Sequence, residues 1–190
     1  AGEIVDQLST DELIALATGD PAKDQGASAL GSAGQTVPGA AAETVNVAEK
    51  DPYNVASIVL ADGPAGLRLR SEYQVRADGS VDGGDFLDGF ENGYFAEPKE
   101  PTGTVYHQYC TAIPVGTLLA QSWNLDLMKK LGQMIAGEMN EFEVTLWLAP
   151  GMSLHRNPLC GRNFEYYSED PLLAGRMASA MTLGVQSVPG

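Results

Sequence analysis

Positive charge is scarce in this sequence. Lys and Arg number 11 against 25 Asp and Glu, a net charge of −14 over 190 residues. Phosphate recognition needs clustered cations, so nucleic acid and anionic lipid surfaces are excluded as partners. No run of eighteen apolar residues occurs, and no helix of this chain is expected to span a membrane. No basic segment followed by a short apolar run opens the chain, so an uncleaved signal peptide is not expected, although a removed one would leave no trace. Cysteine is nearly absent. Cys110 and Cys160 make no disulfide framework; both read as small buried packing residues, with a single disulfide between them as the lesser alternative. Two reduced thiols lean towards a cytoplasmic location without excluding a secreted one. Repeats of 20–50 residues and coiled-coil heptads are missing too, which removes solenoids and long zippers from consideration.

What is present is enough apolar material, 44%, for a real core. Strand-like and helix-like segments alternate along the chain. Ser9 and Glu12 have capping-box spacing ahead of Leu13, Ile14 and Leu16, which predicts a helix ended by Gly19-Asp20-Pro21. Residues 22–44 are rich in Gly, Ala, Ser and Thr and read as loop. Ala56–Ala61 reads as a short buried strand, Thr111–Thr117 as a second and Glu143–Leu148 as a third. A helix is expected over Asp126–Asn140 with Leu127, Leu131, Met134, Ile135 and Met139 inward. Another is expected from Pro171 with Leu172, Leu173, Met177, Met181 and Val185 inward. Such alternation implies an α/β fold with a parallel sheet and outer helices.

Residues 71–101 interrupt that order. Eight acidic side chains fall between Glu72 and Glu100 against Arg76 and Lys99. The stretch reads as a long acidic loop insertion, a candidate lid or homo-oligomer contact. Asp78, Asp82 and Asp85 hint at a calcium loop, but the ligand alternation and closing Glu are missing, and a solvated loop is the better reading. No metal or organic cofactor is implied anywhere in the chain.

The chemistry concentrates at two strand ends. Asp62 directly follows the first strand and precedes Gly63, Pro64 and Gly66. A carboxylate there is held rigidly and points to the mouth of the sheet; the plainer reading is a turn-capping Asp. Arg68 lies six residues on. After the third strand, residues 148–175 crowd His155, Arg156, Arg162, Glu165, Glu169 and Asp170 among turning Pro and Gly residues. A charged loop between a strand and a helix is where α/β barrels carry their sites. Arg162 is the strongest candidate there, because Gly161 lets the backbone come close and its guanidinium forks onto adjacent hydroxyls. Its alternative is an ion pair with Glu165 or Glu169. Arg156 reads as a structural anchor, His155 as satisfied structure, and Glu165 as the orienter of a basic partner. Glu165 and Asp170, five apart on one loop, are not read as a catalytic pair.

These segments carry a resemblance. The stretch APGMSLHRNPLCGRNFEYYSEDP resembles the signature of glycoside hydrolase family 3, the β-glucosidase family. DGPAGLR, at Asp62–Arg68, is similar to the family's earlier motif, and Ser9–Leu16 and Thr111–Trp123 are similar to its first helix and second βα unit. The resemblance implies that Asp62 accepts hydrogen bonds from sugar hydroxyls at the innermost subsite, that Arg68 positions it, and that Arg162 contacts the sugar. It places the loop around Pro38-Gly39 near the barrel mouth. It also implies retaining hydrolysis of a terminal non-reducing β-D-glucosyl residue.

The family's remaining chemistry is not in these residues. Its nucleophile is an Asp before Trp on a later strand, preceded by a Lys-His pair, and its acid/base usually comes from another domain or a long loop. Trp123 and Trp147 follow Ser and Leu, and neither His107 nor His155 follows Lys. About three βα units are legible, whereas a full barrel needs about 250 residues. The expectation is therefore the N-terminal portion of a TIM-like (β/α)8 barrel over residues 1–190, completed by further polypeptide that supplies the catalytic residues. The alternative is a non-catalytic carbohydrate-binding or structural subunit.

Overall fold

The structure, a computed structural model, describes residues 2–18, 36–44, 47–50, 53–82 and 102–190. The expected helix stop at Gly19–Pro21, most of the small-residue loop, and residues 83–101 of the acidic stretch lie outside them. The chain is mixed α/β and divides into two compact units.

The first unit comprises Ala1–Ala61, Leu69–Tyr109 and Val144–Leu146. It opens with two helices, α1 (Gly2–Val5) and α2 (Thr10–Thr18). The Ser9 capping box forms as its spacing predicts: Ser9 N and Oγ donate to Glu12 Oε2 at 2.7 and 2.8 Å, and Glu12 N donates back to Ser9 Oγ at 3.3 Å. The expected inner face of α2 is not buried, and Ile14 is 55% exposed. Strands β1 (Ala42–Glu43), β2 (Val47–Lys50), β3 (Tyr53–Val55) and β4 (Val59–Ala61) follow. β1 pairs antiparallel with β4, and β2 pairs antiparallel with β3. β4 has a third-strand neighbour in β8 (Leu146–Trp147). Thr145 N donates to Val59 O at 3.0 Å.

A polar knot that the sequence did not announce holds this sheet. Glu43 is 6% exposed, and its carboxylate accepts from Thr36 N (3.0 Å), Thr36 Oγ1 (2.6 Å) and Ser57 Oγ (3.0 Å). A buried charge is tolerated when it collects such donors. Val37 and Ala40 of the expected rim segment are buried as well. Gln108, also buried, donates to Pro38 O at 2.6 Å.

Part of the expected acidic loop is regular structure. β5 (Glu72–Val75), β6 (Val81–Asp82) and β7 (Thr104–His107) form an antiparallel sheet in the order β6-β5-β7. Asp78 closes the β5–β6 turn, its carboxylate accepting from Ser80 Oγ (2.6 Å) and Ser80 N (2.9 Å). Those bonds hold the Asp78 carboxyl below its ordinary range. Tyr73 stacks on Tyr106 across the sheet, ring centroids 5.6 Å apart. Charge had masked the strands because composition reads as loop where alternation is short.

The second unit comprises Asp62–Arg68, Cys110–Glu143 and Trp147–Gly190. Its helices are α3 (Gly116–Gln121), α4 (Leu125–Glu141) and α5 (Pro171–Gln186). The expected strand around Ile113 is absent: residues 111–115 take no regular structure, and Ile113 N donates to Ala65 O at 2.9 Å. Asn124 Oδ1 caps α4 through Leu127 N (3.0 Å), and Asp170 Oδ1 caps α5 through Leu172 N (2.7 Å). Pro171 sits at the first turn of α5, where its missing N–H costs nothing.

The seam between α4 and α5 keeps Ile135, Met139, Met177 and Met181 of the expected inner faces but not their leucines. Met128, Gly132, Ile135, Ala136 and Met139 are buried on α4, and Ala174, Met177, Ala178, Met181 and Gly184 on α5. Leu127 and Met134 are exposed, as are Leu172 (68%) and Leu183 (62%). The cause is close approach. A Cβ on Gly132 would meet the Met181 carbonyl, and one on Gly184 the Lys129 carbonyl. Small residues bring the backbones together, and unbranched Met fills the remaining gaps.

Candidate functional site

Asp62 begins a turn that its neighbours leave little freedom. Arg68 N donates to Asp62 O at 2.8 Å, and Gly66 N donates to Gly63 O at 3.1 Å. Gly63 and Gly66 have φ of 120° and 114°, a region closed to other side chains. A Cβ on Gly63 would strike the Gly66 carbonyl, and one on Gly66 the Thr111 carbonyl. Trp147, 8% exposed, donates its indole N–H to Gly63 O at 2.9 Å. The turn is thus tied to the end of β8 through a residue that the sequence marked only as part of the third strand. Its only signal was a Trp at a strand end.

Within this frame Arg68 Nη2 pairs with Asp62 Oδ2. The Asp62 side chain is 36% exposed and that of Arg68 65%. The carboxylate is therefore oriented by one cation and still open to solvent on its other lone pairs.

The second loop is a run of tight turns. Leu159 N donates to Asn157 Oδ1 (2.9 Å), Cys160 N to Asn157 O (3.0 Å) and Asn163 Nδ2 to Asn157 O (2.8 Å). A 3₁₀ turn over Asn163–Glu165 follows. Thr117 Oγ1, near the start of α3, reaches both Asn163 O (3.0 Å) and Tyr166 O (2.9 Å), fastening α3 to this loop. Gly116 makes that possible, since a Cβ there would run into the Glu165 carbonyl.

Glu165 is 8% exposed and pairs with Arg162 Nε. The ion pair expected as the alternative for Arg162 is therefore formed, and Glu165 orients a basic partner. The pair occupies only Nε. Both Nη nitrogens of Arg162 make no hydrogen bond with a described residue, and its side chain is 69% exposed. Glu165, by hydrogen bond and charge, holds the guanidinium above its ordinary pKa, with smaller contributions from Tyr166 and Asp62. Asp62 thus lies within electrostatic reach of Arg162.

Other expectations change. Arg156 anchors nothing: its guanidinium makes no hydrogen bond or ion pair with a described residue. Gly161 has open space where a Cβ would be, so no close approach demands it. Cys160 is exposed rather than buried, and Cys110 is half-buried. His155 Nε2 donates to Tyr166 O at 3.1 Å, a structural bond of the kind expected. Asp170 serves as a helix cap.

The comparisons agree with one another. Residues 97–189 match the glycosyl hydrolase family 3 N-terminal domain. Beta-glucosidase A of Butyrivibrio fibrisolvens is 53% identical over 77 residues, 40% of this chain and 9% of that protein. Thermostable beta-glucosidase B of Acetivibrio thermocellus is 35% identical over 133 residues, 70% of this chain and 14% of that protein. The solved structure of beta-glucosidase 3B from Thermotoga neapolitana in complex with α-D-glucose superposes with a TM-score of 0.68 at 38% identity, covering 98% of this chain and 21% of that one. The chain thus spans only about a tenth of the length of the curated relatives and a fifth of the solved one, and its residues 97–189 belong to glycosyl hydrolase family 3.

Proposed function

We propose that this chain supplies the sugar-holding part of a retaining β-glucosidase acting on terminal non-reducing β-D-glucosyl residues. The observation that carries the reading is Asp62: a carboxylate fixed by two glycine turns and Trp147, paired to Arg68 on one oxygen, and still half-exposed. Such a group accepts hydroxyl protons from a sugar without having to reorganise. Arg162, its Nε spent on Glu165, presents two Nη donors to neighbouring hydroxyls. Arg68 orients Asp62, and Glu165 orients Arg162. The names of the relatives and the glucose in the solved neighbour support the same substrate class.

The two catalytic carboxylates lie outside this chain in our reading. A retaining pair stands about 5–5.5 Å apart, one ionised and free to attack, one able to donate a proton. Asp62 and Glu165 are each committed to an arginine. The fold we infer is the N-terminal portion of a (β/α)8 barrel completed by further polypeptide. The exposed Leu118, Leu172 and Leu183 on its helices support this, since such apolar faces normally meet a partner surface.

The test is turnover of a chromogenic β-glucoside by the intact protein. Replacing Asp62 with Ala lowers kcat/KM by at least about a hundredfold while the melting temperature stays near wild type. Unchanged turnover would overturn the assignment, and a lowered melting temperature with normal turnover would make Asp62 a brace. Proton NMR of the first-formed anomer checks retention: α-glucose as the initial product would sink that part.

A further inference from the structure

The second unit contains a cleft of about 270 Å³ that none of Asp62, Arg68, Arg162 or Glu165 lines. Its walls include Gln121, Trp123, Tyr167, Ser168, Glu169 and Leu173. Trp123 is 74% exposed and sits at φ 53°, in the left-handed region that a bulky side chain seldom occupies. The tight connection between α3 and α4 holds it there: Trp123 N donates to Ala120 O at 3.1 Å and Asn124 N to Ser122 Oγ at 3.2 Å. Backbone strain of this kind persists only where surrounding structure enforces it. Its result is an indole face presented to solvent beside a cavity.

Two polar groups of the cleft are spent on backbone carbonyls, Thr117 Oγ1 on those of Asn163 and Tyr166 and His155 Nε2 on that of Tyr166, and the others keep hydrogen-bonding capacity. Tyr167 is 4% exposed, yet its hydroxyl makes no hydrogen bond with any described residue. The ring is buried while the hydroxyl oxygen itself still reaches solvent, so it can exchange water for a ligand acceptor. Gln121 and Glu169 likewise make no side-chain hydrogen bond or ion pair with a described residue. Ser168 Oγ accepts from Asp170 N at 3.0 Å and keeps its own proton to give. Among the described residues no Lys or Arg lines the cleft, and the Glu169 carboxylate disfavours a phosphate or carboxylate there. An aromatic platform ringed by an amide, a carboxylate and two hydroxyls suits a neutral ring that carries hydroxyls on its edge and C–H groups on its face.

We propose that this cleft is a second carbohydrate site, separate from Asp62 and Arg162, which binds one pyranose ring stacked on Trp123 with its hydroxyls met by Tyr167, Gln121 and Glu169. The volume is at the small end for ligand pockets, room for one sugar unit rather than a chain. The inference rests on the cleft alone and survives if the reading of Asp62 fails.

The experiment titrates cellobiose into the intact protein carrying Asp62→Ala, followed by indole fluorescence and by saturation-transfer NMR. Asp62→Asn serves as a second background should the alanine variant not fold. Saturable binding is expected to remain, and adding Trp123→Ala weakens it roughly tenfold. Tyr167→Phe weakens it by a smaller factor, as expected for one lost hydrogen bond. With Asp62 intact, Trp123→Ala leaves turnover of a small chromogenic glucoside at the wild-type level. Three results would overturn the proposal: cellobiose affinity unchanged by Trp123→Ala; Trp123 already shielded from a neutral quencher without sugar, which would mean that protein fills the cleft; and a loss of turnover in Trp123→Ala equal to that of Asp62→Ala, which would merge the two sites.

Discussion

The Asp62–Arg68 pair and the Glu165–Arg162 pair use the same ions in different surroundings. In the first, the carboxylate is 36% exposed and its backbone is locked by Gly63, Gly66 and Trp147. In the second, the carboxylate is 8% exposed and the arginine carries the open valences. An ion pair in which the acid faces solvent leaves acceptors for a ligand. One in which the acid is buried leaves donors. The two loops therefore offer complementary hydrogen-bonding halves, and a polyol needs both.

The sharpest way to break that comparison is Asp62→Ala. It removes the acceptor half, and kcat/KM falls by roughly a thousandfold in the intact protein. Asp62→Asn keeps the volume and recovers little of that loss, because a neutral amide gives up the charge-assisted bonds. Gly63→Ala attacks the same half through the backbone. Its Cβ would meet the Gly66 carbonyl at a φ of 120°. We expect a stability loss of about 2–3 kcal/mol by chemical denaturation and a fall in turnover that approaches that of Asp62→Ala. A Gly63→Ala protein with normal melting and turnover would show that the turn is not rigid.

Glu165→Gln tests the donor half. The buried acceptor weakens and Arg162 loses its tether. The melting temperature drops by several degrees and kcat/KM by roughly tenfold, mostly in KM. An effect as large as that of Asp62→Ala would mean that the buried acid acts directly on substrate.

The smallest effect concerns Tyr167, behind the same loop. Burial raises its phenol pKa. The folded state then holds that proton more tightly than the unfolded chain. The stability so gained is whole below the ordinary phenol pKa of about 10 and is lost as pH rises beyond it. Tyr167→Phe, followed by thermal melts across alkaline pH, should flatten that decline while leaving neutral stability within about 1 kcal/mol.

Much of the donor and acceptor chemistry was legible because it is local. Asp62 followed by Gly63, Pro64 and Gly66 reads as a turn at a strand end, and the glycines do adopt positive φ. Glu165 stands three residues from Arg162, close enough to pair without any help from the fold. Ser9 and Glu12 formed their capping box for the same reason. Long-range choices were illegible. The leucine faces at Leu127, Met134 and Leu172 point away from the α4–α5 seam because Gly132 and Gly184 set where the backbones touch. Glu43 looked like any surface acid until Thr36 and Ser57 closed around it. Arg156 met no partner among the described residues, and Cys160 no core.

By itself, the sequence determined what depends on neighbours a few residues apart: helix caps, glycine turns, the Arg162–Glu165 pair and the family motifs that contain them. Which helix face is buried, which strands form within the acidic stretch, and which of two paired carboxylates stays open to solvent were decided by tertiary structure. Those outcomes depend on water being excluded by residues far away in the chain, and no local spacing records that.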